Sequence, residues 1–132
     1  MITEIRRAEL KQRLDHPKKL VLLEIVAPED YRRAHLPGAL NLPPGKVRSL
    51  APELIPAKDT EVILYCAGPE CHASENAARE LSEMGYSKVR RYAGGKQDWM
   101  DAGLPVMSDK RPRAAELSVH LGVQLAAQIC LF

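Results

Sequence analysis

An α/β domain built on a parallel sheet is the fold this sequence predicts, and three observations carry it. Two segments, Leu20 to Val26 and Val62 to Tyr65, are near-continuous apolar runs with no useful alternation, the pattern of strands covered on both faces. Helix signals fall between and after them, and strands that alternate with helices close into a parallel sheet through right-handed crossovers. The chain has 132 residues, 45% of them hydrophobic, which is enough for one core and too little for two ordinary domains.

Taken in order, Thr3 is placed to cap a helix carrying Ile5, Leu10 and Leu14, which should end before His16-Pro17. The Leu20 to Val26 strand follows. Pro28 to His35 then forms a short helix with proline in its first turn and Glu29 and Asp30 near its positive end. Leu36 to Gly45 is turn chemistry around a short strand, kept short by its prolines. Val47 to Leu54 is a weak helix interrupted by Pro52. After the Val62 to Tyr65 strand, Ala77, Ala78, Leu81 and Met84 recur at helical spacing, predicting a helix from about Ser74 that Gly85 stops. Ser87 to Ala93 is a further strand, Gly94-Gly95 a tight turn, and Lys96 to Ala102 a short helix ended by Gly103-Leu104-Pro105.

The domain is therefore expected over residues 1–107, with 108–132 as an extension. In that tail Leu117, Leu121, Leu125 and Ile129 lie at i+4 intervals, while Leu117, Val119, Leu121, Val123 and Leu125 also alternate. Helix is favoured by length and alanine content. An apolar tail of this size should pack somewhere, which makes it a candidate for homodimer contacts, with Cys130 packed inside it.

The net charge of +2 is spread along the chain. Arg90-Arg91 and Lys110 to Arg113 are only local basic spots, which argues against a nucleic-acid partner and leaves a small anionic substrate compatible. Three cysteines do not make a disulfide framework, and a reducing, cytoplasmic setting fits them better. The N-terminal residues are charged where a signal peptide needs an apolar run, and no stretch approaches the roughly 18 apolar residues of a membrane span. A soluble protein with no membrane partner is expected.

Chemistry points to Val62 through Ser74. A buried strand ends at Cys66 and delivers its thiol into a small-residue loop before a helix, at the carboxyl edge of the sheet where open α/β folds place ligands. Several stretches then match one family in order. Leu23-Glu24-Ile25-Val26, Pro28-Glu29-Asp30-Tyr31 and His35 to Pro43 resemble the first half of a rhodanese domain. Tyr65-Cys66, Gly85-Tyr86, Gly94-Gly95, Trp99 and Ala102 to Pro105 resemble the second half. The resemblance covers about residues 3 to 107. It implies a three-layer domain with a central, mainly parallel five-stranded sheet flanked by helices, and transfer of sulfane sulfur through a cysteine persulfide. It makes Cys66 the catalytic residue and Ala67, Gly68, Glu70, Cys71, His72 and Ala73 the loop around the substrate.

Two departures from the family pattern stand out. Glu24 and Val26 occupy the positions of an aspartate and an arginine, so one carboxylate is kept and one positive charge is lost. The loop is about two residues longer, with Ala73 where an arginine is usual and Ser74 opening the helix. A dual-specificity phosphatase also resembles a rhodanese with a longer loop, but phosphoryl transfer needs concentrated positive charge, and no arginine lies between Cys66 and Ser74.

The chemistry expected of Cys66 is thiolate attack on a sulfane sulfur, with loop amides and the helix N-terminus cradling the anion. The donor would be a small sulfur compound or a persulfidated protein, and the acceptor cyanide or a thiol; no cofactor is implied. Cys71 is either a resolving thiol, attacking sulfur carried on Cys66 to leave a disulfide, or a packing residue. A non-catalytic or redox-sensing module using both cysteines is the alternative. Cys66, Cys71 and His72 on one tight loop make a poor zinc site, so no metal is expected. His35 fixes its turn, Trp99 is core, and Arg32, Arg33, Arg90, Arg91 and Lys96 read as solvated, with one or two available to supply the missing charge. Gly94-Gly95 lets a neighbouring loop approach the site.

Overall fold

A computed structural model describes residues 2–15 and 20–108. Its elements in order are β1 (Thr3–Glu4), α1 (Arg7–Asp15), β2 (Leu20–Glu24), α2 (Pro28–Arg33), β3 (Leu40–Asn41), α3 (Val47–Leu54), β4 (Glu61–Tyr65), α4 (Ala73–Glu83), β5 (Lys88–Arg91) and α5 (Gly95–Asp101). The strands form one five-stranded sheet in the order β1-β5-β4-β2-β3. Every pairing in it is parallel, so the expected mainly parallel sheet is wholly parallel among the described residues.

The apolar runs of β2 and β4 are buried on both faces because helices cover both. Val62, Leu64 and Cys66 point to one side, into a cluster with Val47 and Ala51 of α3 and Ala77, Ala78 and Leu81 of α4. Ile63 and Tyr65 point to the other, with Leu10 of α1, Leu36, Tyr92 and Trp99 of α5. Leu10, Ile63, Leu64 and Leu81 have no exposed surface, and full burial of such a side chain is worth about 1.5–3 kcal/mol. Two cores on one central sheet make the three layers.

Two local expectations change and a third holds. Thr3 caps no helix: Thr3 and Glu4 pair in register with Arg90 and Arg91, and the Ile5 amide donates to Arg91 O (3.0 Å), so sheet pairing captures the segment and α1 starts only at Arg7. Pro52 does not interrupt α3, which runs on to Leu54; Val47, Ala51 and Ile55 are all buried, and their packing outweighs one missing backbone donor. Gly85 does end α4, in the left-handed region at φ 101°.

The carboxyl end of the described chain folds back. His35 and Met107 exchange both backbone hydrogen bonds (2.9 and 2.8 Å), and the indole N–H of Trp99 donates to Pro105 O (2.8 Å). The expected tail of 108–132, with its Cys130 and homodimer contacts, lies outside the described residues beyond Ser108. No helix among the described residues is long and apolar enough to cross a membrane.

Candidate active site

β4 runs at the centre of the sheet and releases the chain at Cys66, which is only 1% exposed. Two carbonyls root the loop that follows. Cys66 O accepts from the Lys96 amide (2.9 Å) and Ala67 O from the Gln97 amide (2.8 Å), so the first turn of α5 grips the loop where it leaves the strand. Gly95 makes this approach possible. Its φ is +70°, and a Cβ there would stand 2.7 Å from Cys66 O and 2.9 Å from Gly68 Cα. The reading of the glycine pair as the point of close approach therefore holds, with the helix rather than another loop as the approaching element.

Beyond the root, Gly68 to Cys71 forms a turn closed by the Cys71 amide donating to Gly68 O (3.1 Å). Pro69 sits at its second position, where its fixed φ suits the turn. Cys66 and Cys71 are joined as a disulfide with their Cα atoms 6.4 Å apart, within the span such a bond allows. It closes a five-residue separation in one loop and links no two elements, so it is not a structural framework of the kind excluded from the sequence. No group of His, Cys, Asp and Glu among the described residues is arranged to hold a metal ion.

The surroundings of Cys66 Sγ are specific. Ser74 Oγ and Cys71 O each lie 3.4 Å from it, and Ser74 is 1% exposed. The Cys71 amide is already committed to Gly68 O, so it does not contribute to the expected cradle in this form. Arg91 fills the back of the site. Its Nε–H donates to Ser74 Oγ (3.0 Å), its Nη2 to Cys71 O (3.3 Å), and its Nη1 stands 3.5 Å from Glu4 Oε2, with the side chain 11% exposed.

On the opposite face, Glu24 has no exposed surface and meets Lys96 Nζ at 2.5 Å. The Tyr65 hydroxyl donates to Glu24 Oε1 (3.0 Å) and accepts from the Leu36 amide (3.0 Å). Lys96 also donates to Ala34 O (2.6 Å). Burial raises the Glu24 carboxyl above its ordinary value, and Lys96 and Tyr65 work against that rise. Burial and the neighbouring Glu24 charge likewise push the Tyr65 hydroxyl up, keeping it a neutral donor. Val26 removes one positive charge, but the buried carboxylate keeps a cationic partner, brought from α5. His35 is buried, stacked on Tyr31 at 4.0 Å with Nδ1 2.8 Å from Tyr31 O, and so fixes its turn.

The structure thus gathers Cys66, Ala67, Gly68, Glu70 and Cys71 on one loop. Ala67 to Cys71, with Gln97, line an open depression of about 560 Å³. Ala67 also borders a smaller one of about 300 Å³ with Val26, Asp30, Arg33, Ala34, Lys96 and Met100. His72 points away, largely exposed and 3.4 Å from Glu75, and Ala73 is the first residue of α4. Arg32 and Arg33 are exposed, but Arg91 and Lys96 are not solvated as expected, being 11% and 12% exposed. Sequence reasoning gave Ser74 no role beyond opening the helix and offered Arg91 only as one of five cations of which one or two could supply the missing charge. The register of β5 sets Arg91 beside Leu64, a long-range relationship with no local pattern to announce it.

Comparisons agree with this fold. The family described as "Rhodanese-like domain" matches residues 6–102. "Putative sulfur carrier protein YrkF" of Bacillus subtilis is 34% identical over 98 residues, covering 74% of this chain and 51% of that protein. A protein of Allochromatium vinosum named "Sulfurtransferase" is 31% identical over 108 residues, 82% of this chain and 97% of its own. The chain spans about half the length or less of some curated relatives it matches, 43% for "HTH-type transcriptional regulator Rv0324" of Mycobacterium tuberculosis. Among solved structures, "rhodanese with anions from E. coli" superposes with a TM-score of 0.57 at 31% identity, covering 67% of this chain and 98% of that one. With the family's fold, a cysteine at the end of its central strand and a family match across most of its length, this chain belongs to the rhodanese-like domain family.

Proposed function

We propose that the protein moves sulfane sulfur through a persulfide on Cys66. The observation that carries this reading is the placement of Cys66, at the carboxyl end of the central strand with its loop rooted on α5. The thiolate attacks the outer sulfur of a donor; with thiosulfate, the S–S bond breaks, sulfite leaves with the electron pair, and Cys66 holds the sulfur as a persulfide. Cyanide then takes the outer sulfur as thiocyanate, or a thiolate takes it as a new persulfide, and the Cys66 thiolate returns.

The depression beside the loop favours a persulfide donor over thiosulfate. Its lining contains the Glu70 carboxylate and no lysine or arginine, so a small dianion gains little there, and turnover of thiosulfate is expected to be slow. Relatives at 31% and 38% identity carry the names "Sulfurtransferase" and "Thiosulfate sulfurtransferase PspE", which supports the reaction class. Mass spectrometry of reduced Cys71→Ser protein after incubation with thiosulfate or glutathione persulfide tests it: one added sulfur atom on Cys66 is expected, and no added sulfur from either donor would sink the proposal.

The Cys66–Cys71 disulfide supports a further step in the same cycle. The Cys71 thiolate attacks the inner sulfur of the Cys66 persulfide, the S–S bond breaks, and hydrosulfide leaves. A small-molecule dithiol or two monothiols then reopen the disulfide, which suits a reducing compartment. A redox-sensing module is the second reading, on the same bond. It requires the disulfide to form under mild oxidant with no sulfur taken up beforehand.

A further inference from the structure

We propose that Arg91 replaces the missing loop arginine from behind, holding Cys66 as an anion through the hydroxyl of Ser74. It is a positioning residue, and its role rests on Cys66 being the sulfur-bearing nucleophile.

The hydrogen-bond directions dictate the relay. Arginine only donates, so at 3.0 Å its Nε–H makes Ser74 Oγ the acceptor. The Ser74 hydroxyl has one proton left to give. Ser74 is 1% exposed, and Cys66 Sγ lies 3.4 Å from its oxygen. The guanidinium thus polarises a hydroxyl whose proton is free to turn to that sulfur, and a donor aimed at a thiolate or persulfide favours the charged form.

A second contact works in the same direction. Cys71 O lies 3.4 Å from Cys66 Sγ, where the negative end of a carbonyl dipole would repel an anion. Arg91 Nη2 donates to that oxygen at 3.3 Å and offsets the repulsion. The charge is also held in place: Arg91 is 11% exposed and pairs with Glu4 at 3.5 Å. The other ionisable groups around the loop are Glu70 within it, the His72–Glu75 pair at the start of α4, the Glu24–Lys96 pair, and the Asp30–Arg33 pair across the depression that Ala67 borders. None of these touches Ser74 Oγ or Cys71 O. The site therefore stabilises charge on Cys66 without placing a cation in the depression that Ala67 to Cys71 line.

The test reads thiol chemistry, not turnover. In reduced C71S protein, alkylation of Cys66 by iodoacetamide is followed against pH and located by mass spectrometry, with circular dichroism and the melting temperature recorded for each variant. R91M and S74A, each added to this background, are expected to raise the midpoint by about one pH unit, which is about tenfold slower alkylation at pH 7. R91K is expected to restore part of the shift, and the R91M/S74A combination to be no worse than R91M alone, since S74A cuts one of the two contacts that R91M removes. An unchanged midpoint in folded R91M or S74A overturns the proposal, as does a midpoint that moves in R91M alone. Should R91M fail to fold, S74A and R91K decide. Persulfidation of the reduced C71S protein is scored separately: if it fails while the midpoints shift, the sulfur-transfer reading falls and the Arg91 effect on the thiol stands; if it succeeds with unmoved midpoints, the reverse holds.

Discussion

Lys96 Nζ stands 2.5 Å from Oε2 of Glu24, a carboxylate with no exposed surface. Removing one partner of a buried pair leaves the other charge uncompensated and costs about 3–5 kcal/mol. Lys96→Met should therefore destabilise the protein by that order in urea denaturation at pH 7. Burial raises the Glu24 carboxyl above 4.5 while Lys96 restrains the rise. A carboxyl raised on folding contributes stability that is whole below its unfolded value and is lost as pH climbs through the folded one. Without Lys96 that folded value rises further, so the penalty of Lys96→Met should be smaller at pH 5 than at pH 7. An equal penalty at the two values would rule the account out.

Tyr65→Phe isolates the other half of the cluster. The hydroxyl it deletes is at once donor to Glu24 and acceptor for the Leu36 amide, and both groups are buried. An unmade buried hydrogen bond costs about 1–3 kcal/mol, so a loss in that range is expected from thermal or urea unfolding. A neutral result would mean that a water or a shifted side chain satisfies both groups.

Gly95→Ala probes the root of the cysteine loop. A Cβ at φ +70° meets Cys66 O at 2.7 Å, so the substitution combines backbone strain with a backbone collision, at a cost of about 1–3 kcal/mol. Since the displaced carbonyl belongs to Cys66, sulfur transfer measured as thiocyanate formation should fall by at least about tenfold, from a misplacement well under 1 Å. Retention of full activity would show that the loop tolerates movement of its root.

The cysteines divide the labour in the proposed cycle. Cys66→Ser should abolish sulfur uptake, whereas Cys71→Ser should accumulate the Cys66 persulfide and stop release of hydrosulfide. Mass spectrometry reads the first and a sulfide electrode the second. Hydrosulfide release unchanged in Cys71→Ser would remove Cys71 from the cycle.

The apolar runs of β2 and β4 were legible because burial on both faces leaves no alternation, and α4 because its apolar residues recur at helical spacing up to Gly85. Cys66 was legible because a strand signal ends on it. What escaped notice depends on partners distant in sequence. Thr3–Glu4 is a strand only because β5 lies beside it; two exposed residues carry no pattern of their own. Arg91 read as a solvated charge, and only the β4–β5 register and the packing of α4 against it turn its side chain toward Ser74. Lys96 was hidden the same way, since its acidic partner sits 72 residues earlier, on a strand that reaches it only in three dimensions.

The rooting of the loop on α5 also bears on where the sulfur goes. Cys66 is anchored through its own carbonyl, and the Cys71 backbone is held by Gly68 O and Arg91, so in the proposed cycle the two side chains stay within reach once the disulfide opens. In the proposed cycle a persulfide on Cys66 would face two rivals: a tethered thiol whose rate is unimolecular, and an external acceptor whose rate grows with its concentration. The branching between sulfur delivered and sulfide released would then be a function of acceptor supply, and one short tether would work as a concentration gauge.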